Sequence, residues 1–324
     1  MIQPLVQQII EGDRRALAKA ITLVESTRVD HGEQAVHLLA ELMPHTGKSI
    51  RLGISGAPGV GKSTFIEALG NYLTLLGHQV AVLAVDPTSA VSGGSILGDK
   101  TRMEALSVNP KAFVRPSPAG TTLGGVTRRT RESLLLCEAA GYDVIIVETV
   151  GVGQSETAVS DMTDMFLLLL SPGGGDDLQG IKRGIMELAD LVLVNKADGD
   201  QASAANQTLS DYRGALQFMQ ARTPGWIPKV NSCSALQGQG IEQAWAVVED
   251  FRRVLTESGK LEVLRARQAK AWMWAETAAE LLADLRNHPG VSKLVPELEA
   301  AVLAGELPAI VAAQRLIENY KSGH

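Results

Sequence analysis

The chain is short of cysteine, of net positive charge and of long apolar runs, and each shortage removes a class of protein. Only Cys137 and Cys233 occur among 324 residues, far apart and outside any Cys-x-x-Cys pair. They offer no disulfide framework and fit a reducing compartment. The formal net charge is -6, so no basic excess points to nucleic acid or to an anionic membrane. The longest apolar runs, such as Met165–Leu170, fall far short of the ~20 residues that cross a bilayer. The start, Met1-Ile-Gln-Pro-Leu-Val-Gln-Gln, lacks a basic segment followed by an apolar one and gives no sign of secretion. Six histidines, at 31, 37, 45, 78, 288 and 324, show no ligand spacing, which argues against structural zinc or nickel handling. A soluble, cytoplasmic protein without nucleic-acid or membrane partners is expected.

What is present is a composition that can bury a core, 45% hydrophobic and 20% charged, and one motif around which the rest is arranged. An apolar strand, Ile50–Ile54, runs into Gly56-Ala57-Pro58-Gly59-Val60-Gly61-Lys62-Ser63-Thr64, and a helical run to Leu76 follows. This fits G-x-x-x-x-G-K-[ST] between a strand and a helix, the context that gives the motif its meaning. Glycines let the backbone turn its N–H groups inward on phosphate, and the helix N-terminus adds partial positive charge. Lys62 is expected to reach the β- and γ-phosphates and Ser63 to ligate magnesium.

Around the motif, strands and helices alternate. Short apolar runs lie at Val80–Val85, Ala112–Arg115, Val144–Glu148, Phe166–Leu170, Leu191–Val194 and Ile227–Val230. Most do not alternate in polarity, as expected of strands buried on both faces. The fold class is therefore α/β, a P-loop NTPase with a mostly parallel sheet flanked by helices. Residues 2–43 show helical spacing, and from about Gln243 the chain is helical again. The expected division is an N-terminal helical extension at 1–45, a nucleotide domain at 46–250 and a C-terminal helical arm at 251–324. In the arm, Leu261, Leu264, Ala271, Ala275, Ala278, Leu282 and Leu285 form one stripe. Packing within a helical cluster is the first expectation for it, with a partner surface as the alternative. Trp272 and Trp274 are two apart and cannot share a face.

The remaining motifs fall at strand ends, where ligands of such sheets bind. Asn195-Lys196-Ala197-Asp198 follows Leu191–Val194. One carboxylate can accept both the N1–H and the N2 amino group of guanine. Adenine has no such donor pair and would leave Asp198 unsatisfied, at ~1–3 kcal/mol. Asn195 would tie loops together, and the Lys196 stem would cover the base. Ser234-Ala235-Leu236 resembles a loop whose backbone contacts the guanine carbonyl, although three such residues alone say little. Glu148-Thr149-Val150-Gly151 closes another strand. There Glu148 suits a magnesium-bound water and the Gly151 N–H the γ-phosphate, so Lys62, Glu148 and Gly151 are the expected catalytic residues. Asp86, in Asp86-Pro87-Thr88-Ser89, and Asp99, in the glycine-rich stretch 92–101, are further candidates for the magnesium shell. The stretch Pro172–Arg183, with Gly173 to Gly175, Asp176 and Lys182, reads as a switch loop. Val152 stands where small signalling GTPases carry a catalytic glutamine, and Gln154 lies further along. Slow intrinsic hydrolysis, sped by a partner, is the inference. Thr127–Glu132 is the densest basic run and reads as a solvated helix face.

Taken together, Gly56–Ser63, Asp86–Ser89, Gly98–Thr101, Glu148–Glu156 and Asn195–Asp198 resemble the MeaB/ArgK GTPases, formerly described as a lysine/arginine/ornithine transport kinase. The resemblance spans nearly the whole chain. It implies the fold of the signal-recognition and MinD class of P-loop GTPases, GTP/GDP and Mg2+ as cofactors, and a homodimer formed through C-terminal helices. It also implies a chaperone or gatekeeper role on adenosylcobalamin-dependent methylmalonyl-CoA mutase. By matching position it implies Lys62 and Ser63 for phosphate and magnesium, Asp86, Asp99 and Glu148 for the magnesium shell, and Asn195 and Asp198 for guanine. A third mobile loop would correspond to Asp176 through about Glu187. Leu236 departs from the lysine that many GTPases carry there. Two other readings compete. A kinase of periplasmic amino-acid-binding transport proteins needs an acceptor site, for which the sequence shows no signature. A metal-insertion GTPase needs Cys or His clusters near the P-loop, and these are missing.

Overall fold

The computed structural model describes residues 2–26, 28–85, 103–116, 123–149, 155–173, 183–219 and 221–322. The sheet has seven strands, most of them formed by runs of valine, isoleucine and leucine: β1 (Ile50–Gly56), β2 (Val80–Val85), β3 (Ala112–Arg115), β4 (Val144–Thr149), β5 (Met165–Leu170), β6 (Leu191–Val194) and β7 (Lys229–Ser232). They pair in parallel in the order β3-β2-β4-β1-β5-β6-β7. Strands β1, β2, β4, β5 and β6 are buried along their whole length, which explains why their sequences are continuously apolar. β7 starts two residues later than its apolar run suggests. Pro228 has no N–H for the ladder, and Ile227 points to solvent with 82% of its surface exposed.

The crossover helices cover both faces. They are α4 (Lys62–Leu75), α5 (Glu104–Val108), α6 (Leu123–Ala139), α7 (Ser155–Ser160), α8 (Arg183–Met186), α9 (Ala202–Leu216) and α10 (Ile241–Glu257). Ahead of β1 come α1 (Gln3–Ile10), α2 (Arg14–Val24) and α3 (Val29–Leu42), which pack against α6. Asp13 caps α2 by accepting from the N–H groups of Arg15 and Ala16 at 2.7 and 2.9 Å. Gly53, in the middle of β1, lets α7 come close. A Cβ there would stand 2.7 Å from Thr163 Oγ1 and 2.9 Å from Val159 Cγ1.

The chain divides into two compact units, Met1–Leu264 and Arg265–His324. The first holds the N-terminal helices, the sheet and α10, whose Trp245, Val248, Phe251 and Leu255 join the main core. The second comprises the later part of α11 (Lys260–Asn287) with α12 (Pro289–Leu303) and α13 (Ala309–Ser322). Its helices enclose an open groove of about 800 Å³, lined by Leu285, Val291, Val295, Leu298, Val302 and Leu316 among others. The stripe on α11 packs within the chain only in part: Leu261 joins the main core and Leu264 and Leu285 are half-buried. Ala271, Ala275, Ala278 and Leu282 are exposed, as are Met273 and Trp274.

Behind the sheet, an ion pair sits in the interior. Arg51 on β1 donates two hydrogen bonds of 2.9 Å to Glu138 on α6, and both side chains are buried. Glu138 also accepts from the Ser49 hydroxyl and, at 2.9 Å, from the Gly47 N–H. Burial pushes its carboxyl up, but Arg51, Ser49 and Gly47 more than offset this and hold it below the usual carboxylate value. The contribution is therefore in place above the ordinary carboxylate range and fades as pH falls through it. Arg51→Met should cost about 3–5 kcal/mol near neutral pH by leaving Glu138 buried alone. The gap to wild type should narrow at acid pH, because the unpaired buried Glu138 of the variant takes up a proton more readily than the paired one. Chemical denaturation at neutral and acid pH checks this; a gap that stays constant would exclude Glu138 as its source.

Candidate functional site

β1 and α4 are joined by a loop whose shape only glycine permits at three points. Gly56, Gly59 and Gly61 have φ of 155°, 80° and 94°. A Cβ on Gly56 would stand 2.5 Å from the Leu169 carbonyl oxygen, and one on Gly61 2.7 Å from Asn195 Nδ2. Val60 is buried and pins the loop's centre. No side chain caps the start of α4, so its first N–H groups face the loop with the positive end of the helix dipole behind them. Lys62 curls over the same loop and donates to Gly56 O at 2.7 Å and to Ala57 O at 3.4 Å. Ser63 is half-buried beside it, and Thr64 is exposed.

The second component arrives at the end of β6. Asn195 is buried, and its Nδ2 donates to Val60 O at 2.9 Å while its Oδ1 accepts from Ala235 N at 3.0 Å. One carboxamide thus joins the glycine loop, the 195–198 turn and the 234–236 turn. Cys233 Sγ lies 3.6 Å from the same Oδ1, and burial pushes that thiol up to about 12. Lys196 is the one non-glycine residue at positive φ among the described residues, at 60°. The strained backbone aims its stem across the cleft, where Nζ donates to Gly59 O at 2.7 Å. Asp198 is half-buried and opens the short 3-10 turn Gly199–Gln201.

The third component is the turn after β7. Ser234 N donates to Gln239 O at 2.9 Å and Gln239 N to Ser234 O at 3.1 Å, closing the turn and presenting Leu236, 83% exposed, at its tip. Gly240 lets the chain pass into α10, since a Cβ there would meet Ser232 O at 2.6 Å. Gln239 and Gly240 were not singled out from the sequence; the Gly238-Gln239-Gly240 spacing was the available signal.

Glu148 lies at the end of β4, next to β1 in the sheet and opposite Ile54, and is 5% exposed. Gly56 to Thr64, Glu148, Asn195 to Asp198 and Ser234 to Leu236 therefore share the carboxyl-terminal edge of the sheet. Asp86, Asp99, Gly151, Val152, Gln154, Asp176 and Lys182 lie outside the described residues. Arg128, in the basic run, is exposed and pairs with Glu132 at 3.2 Å, but Thr127 and Thr130 are buried, so the run is not the wholly solvated face expected. Among the described residues there is no group of three or more His, Cys, Asp or Glu that could hold a metal ion. None of their helices is long and apolar enough to cross a membrane.

A family model described as "Methylmalonyl Co-A mutase-associated GTPase MeaB" matches residues 17–289. A "Putative GTPase" of Caulobacter vibrioides is 56% identical, over 98% of this chain and 97% of its own length. The mitochondrial "Methylmalonic aciduria type A homolog" of Mus musculus is 47% identical, over 100% of this chain and 80% of its own length. A solved structure titled "LAO/AO transport system kinase" superposes with a TM-score of 0.77 at 38% identity, over 99% of this chain and 97% of that one.

The crowding at Gly61 yields a direct check. Gly61→Val has to place a branched residue at φ 94° and against Asn195. It should weaken guanine-nucleotide binding at least about 100-fold by breaking the loop contact, as read by titration with a fluorescent GDP. Binding within threefold of wild type would mean that the loop is not the phosphate cradle.

Proposed function

The chain belongs to the MeaB family of methylmalonyl-CoA mutase-associated GTPases, and on that premise we propose that GTP turnover here works as a switch on an adenosylcobalamin-dependent methylmalonyl-CoA mutase. The observation that carries the nucleotide reading is the Asn195 carboxamide, bonded at once to the phosphate-type loop and to the Ser234 turn. It supports reading the loop as a phosphate cradle and the neighbouring Asp198 as the base-selecting acid.

In this reading the Gly56–Gly61 N–H groups and the start of α4 hold the phosphates. The Lys62 ammonium exchanges its carbonyl partners for the β- and γ-phosphate oxygens. That gives it more to do as charge builds on the leaving GDP. Asp198 accepts the two guanine donors, the Lys196 stem lies along the base, and the backbone at Ser234 to Leu236 meets the guanine carbonyl. Gly151 donates to the γ-phosphate, and water attacks it to give GDP and phosphate.

Magnesium fits the residues present. The candidate donors among the described residues, the Ser63 hydroxyl and the Glu148 carboxylate, are both oxygen. That is the set expected of an ion held chiefly by water and substrate phosphate. When bound, the ion supplies charge neutralisation between the β- and γ-phosphates. Asp86 and Asp99 complete the shell in this proposal.

The mutase role draws on the family description and on the name of the mouse relative. The protein is proposed to work in the cytoplasm as a homodimer. The exposed face of α11, with Met273, Trp274, Leu281 and Leu282, is the surface for the second copy. The proposed organisation is the 1–45 extension, the 46–250 nucleotide domain and the 251–324 dimerisation arm.

Two substitutions test the site. Lys62→Ala should lower GTP turnover by at least about 100-fold while the fold survives; unchanged turnover would remove the loop from the chemistry. Asp198→Asn should shift preference from guanine to xanthine nucleotides, because the amide can donate to xanthine's carbonyl. Competition between GTP and XTP measures this, and full guanine preference in the variant would refute the base assignment. For the partner, the purified protein and an adenosylcobalamin mutase should co-elute with a non-hydrolysable GTP analogue and separate, or bind differently, with GDP.

A further inference from the structure

β1 and β4 are neighbours, but their backbone ladder ends at Ile54 opposite Glu148. Beyond that point each follows its other neighbour. β1 stays paired with β5 as far as Gly56 opposite Leu169, and β4 with β2 as far as Val85 opposite Thr149. The two strands thus part where β1 enters the glycine loop and β4 passes Glu148. One side-chain contact spans the parting. Thr149 Oγ1 donates to Ser55 Oγ at 2.9 Å, and both residues have no exposed surface.

The partners of this bond sit next to the chemistry without touching it. Ser55 precedes Gly56, whose carbonyl accepts from Lys62 at 2.7 Å. Thr149 follows Glu148 directly. Both hydroxyls are taken from water, so each depends on such a bond to repay its burial. On the same face of β1, two residues back, Gly53 seats α7, where an added Cβ would meet Val159 Cγ1 at 2.9 Å. The bridge therefore sits on the sheet face that α7 packs against closely.

We propose that Thr149 is a positioning residue for GTP hydrolysis: through Ser55 it holds the Glu148 end of β4 at a fixed separation from the Lys62 loop. The inference rests on the phosphate-site assignment made above. It separates turnover from binding, because the loop, Asn195 and Asp198 stay in place when the bridge is lost, whereas the spacing between Lys62 and Glu148 does not.

The test is a cycle of Thr149→Val, Ser55→Ala and the double variant, with Thr149→Ser as rescue. Thr149→Val keeps the shape and removes the donor. It should lower kcat about tenfold, leaving KM for GTP and the fluorescence-measured affinity for GDP within about threefold. Ser55→Ala should do the same, and the double variant should be no slower than Thr149→Val, since both remove one bond. Thr149→Ser should restore kcat to within about twofold of wild type. If Thr149→Val does not fold, Ser55→Ala carries the same reading. A folded variant with unchanged kcat, or effects that multiply in the double variant, would overturn the proposal. Should Lys62→Ala still abolish turnover in that case, only the bridge is refuted. Should Lys62→Ala also leave turnover intact, the fault lies in the phosphate-site assignment.

Discussion

The site depends on one buried carboxamide. Asn195 spends its donor on Val60 and its acceptor on Ala235, so the end of β6 fixes the relation between a loop 135 residues earlier and a turn 40 residues later. A neutral side chain suits this task. It satisfies one carbonyl and one N–H together, which a carboxylate or an ammonium cannot, and it does so without placing a charge in a desolvated position. The glycines of the loop accept the arrangement because they leave room for it: at Gly61 the space a side chain would fill is taken by Asn195 itself.

The sheet supplies the rigidity on which that clamp acts. Five strands buried end to end form the frame, and β1, β4, β6 and β7 present their functional residues along a common edge. The buried Arg51–Glu138 pair and the Asp13 cap belong to the support of this frame, away from the chemistry. Opposed to this economy is α11, which leaves Met273, Trp274 and Leu281 in contact with water in the single chain.

Much of this was legible in the sequence because the physics involved is local. Glycine spacing, an uncapped helix start and apolar runs without alternation announce the phosphate-type loop and the parallel sheet. The strands at Val80, Ala112 and Leu191 begin where their apolar runs begin. β7 departs because a proline, invisible to a hydrophobicity count, delays the ladder to Lys229. The stripe on α11 is ambiguous in the sequence between internal packing and a partner surface, because a helical period shows which face is apolar but not what meets it. Contacts such as Asn195 with Val60, or Thr149 with Ser55, join residues more than ninety positions apart, and no pattern within one segment records them.

The state of the two thiols has a practical corollary. Cys137 and Cys233 are both shut away from solvent, and burial pushes both thiols upward, Cys233 to about 12, so little reactive thiolate forms at neutral pH. Maleimide reagents should therefore pass over the native chain. A fluorophore or spin probe attached through one newly introduced surface cysteine would report from a single address, on a background that needs no prior removal of natural thiols.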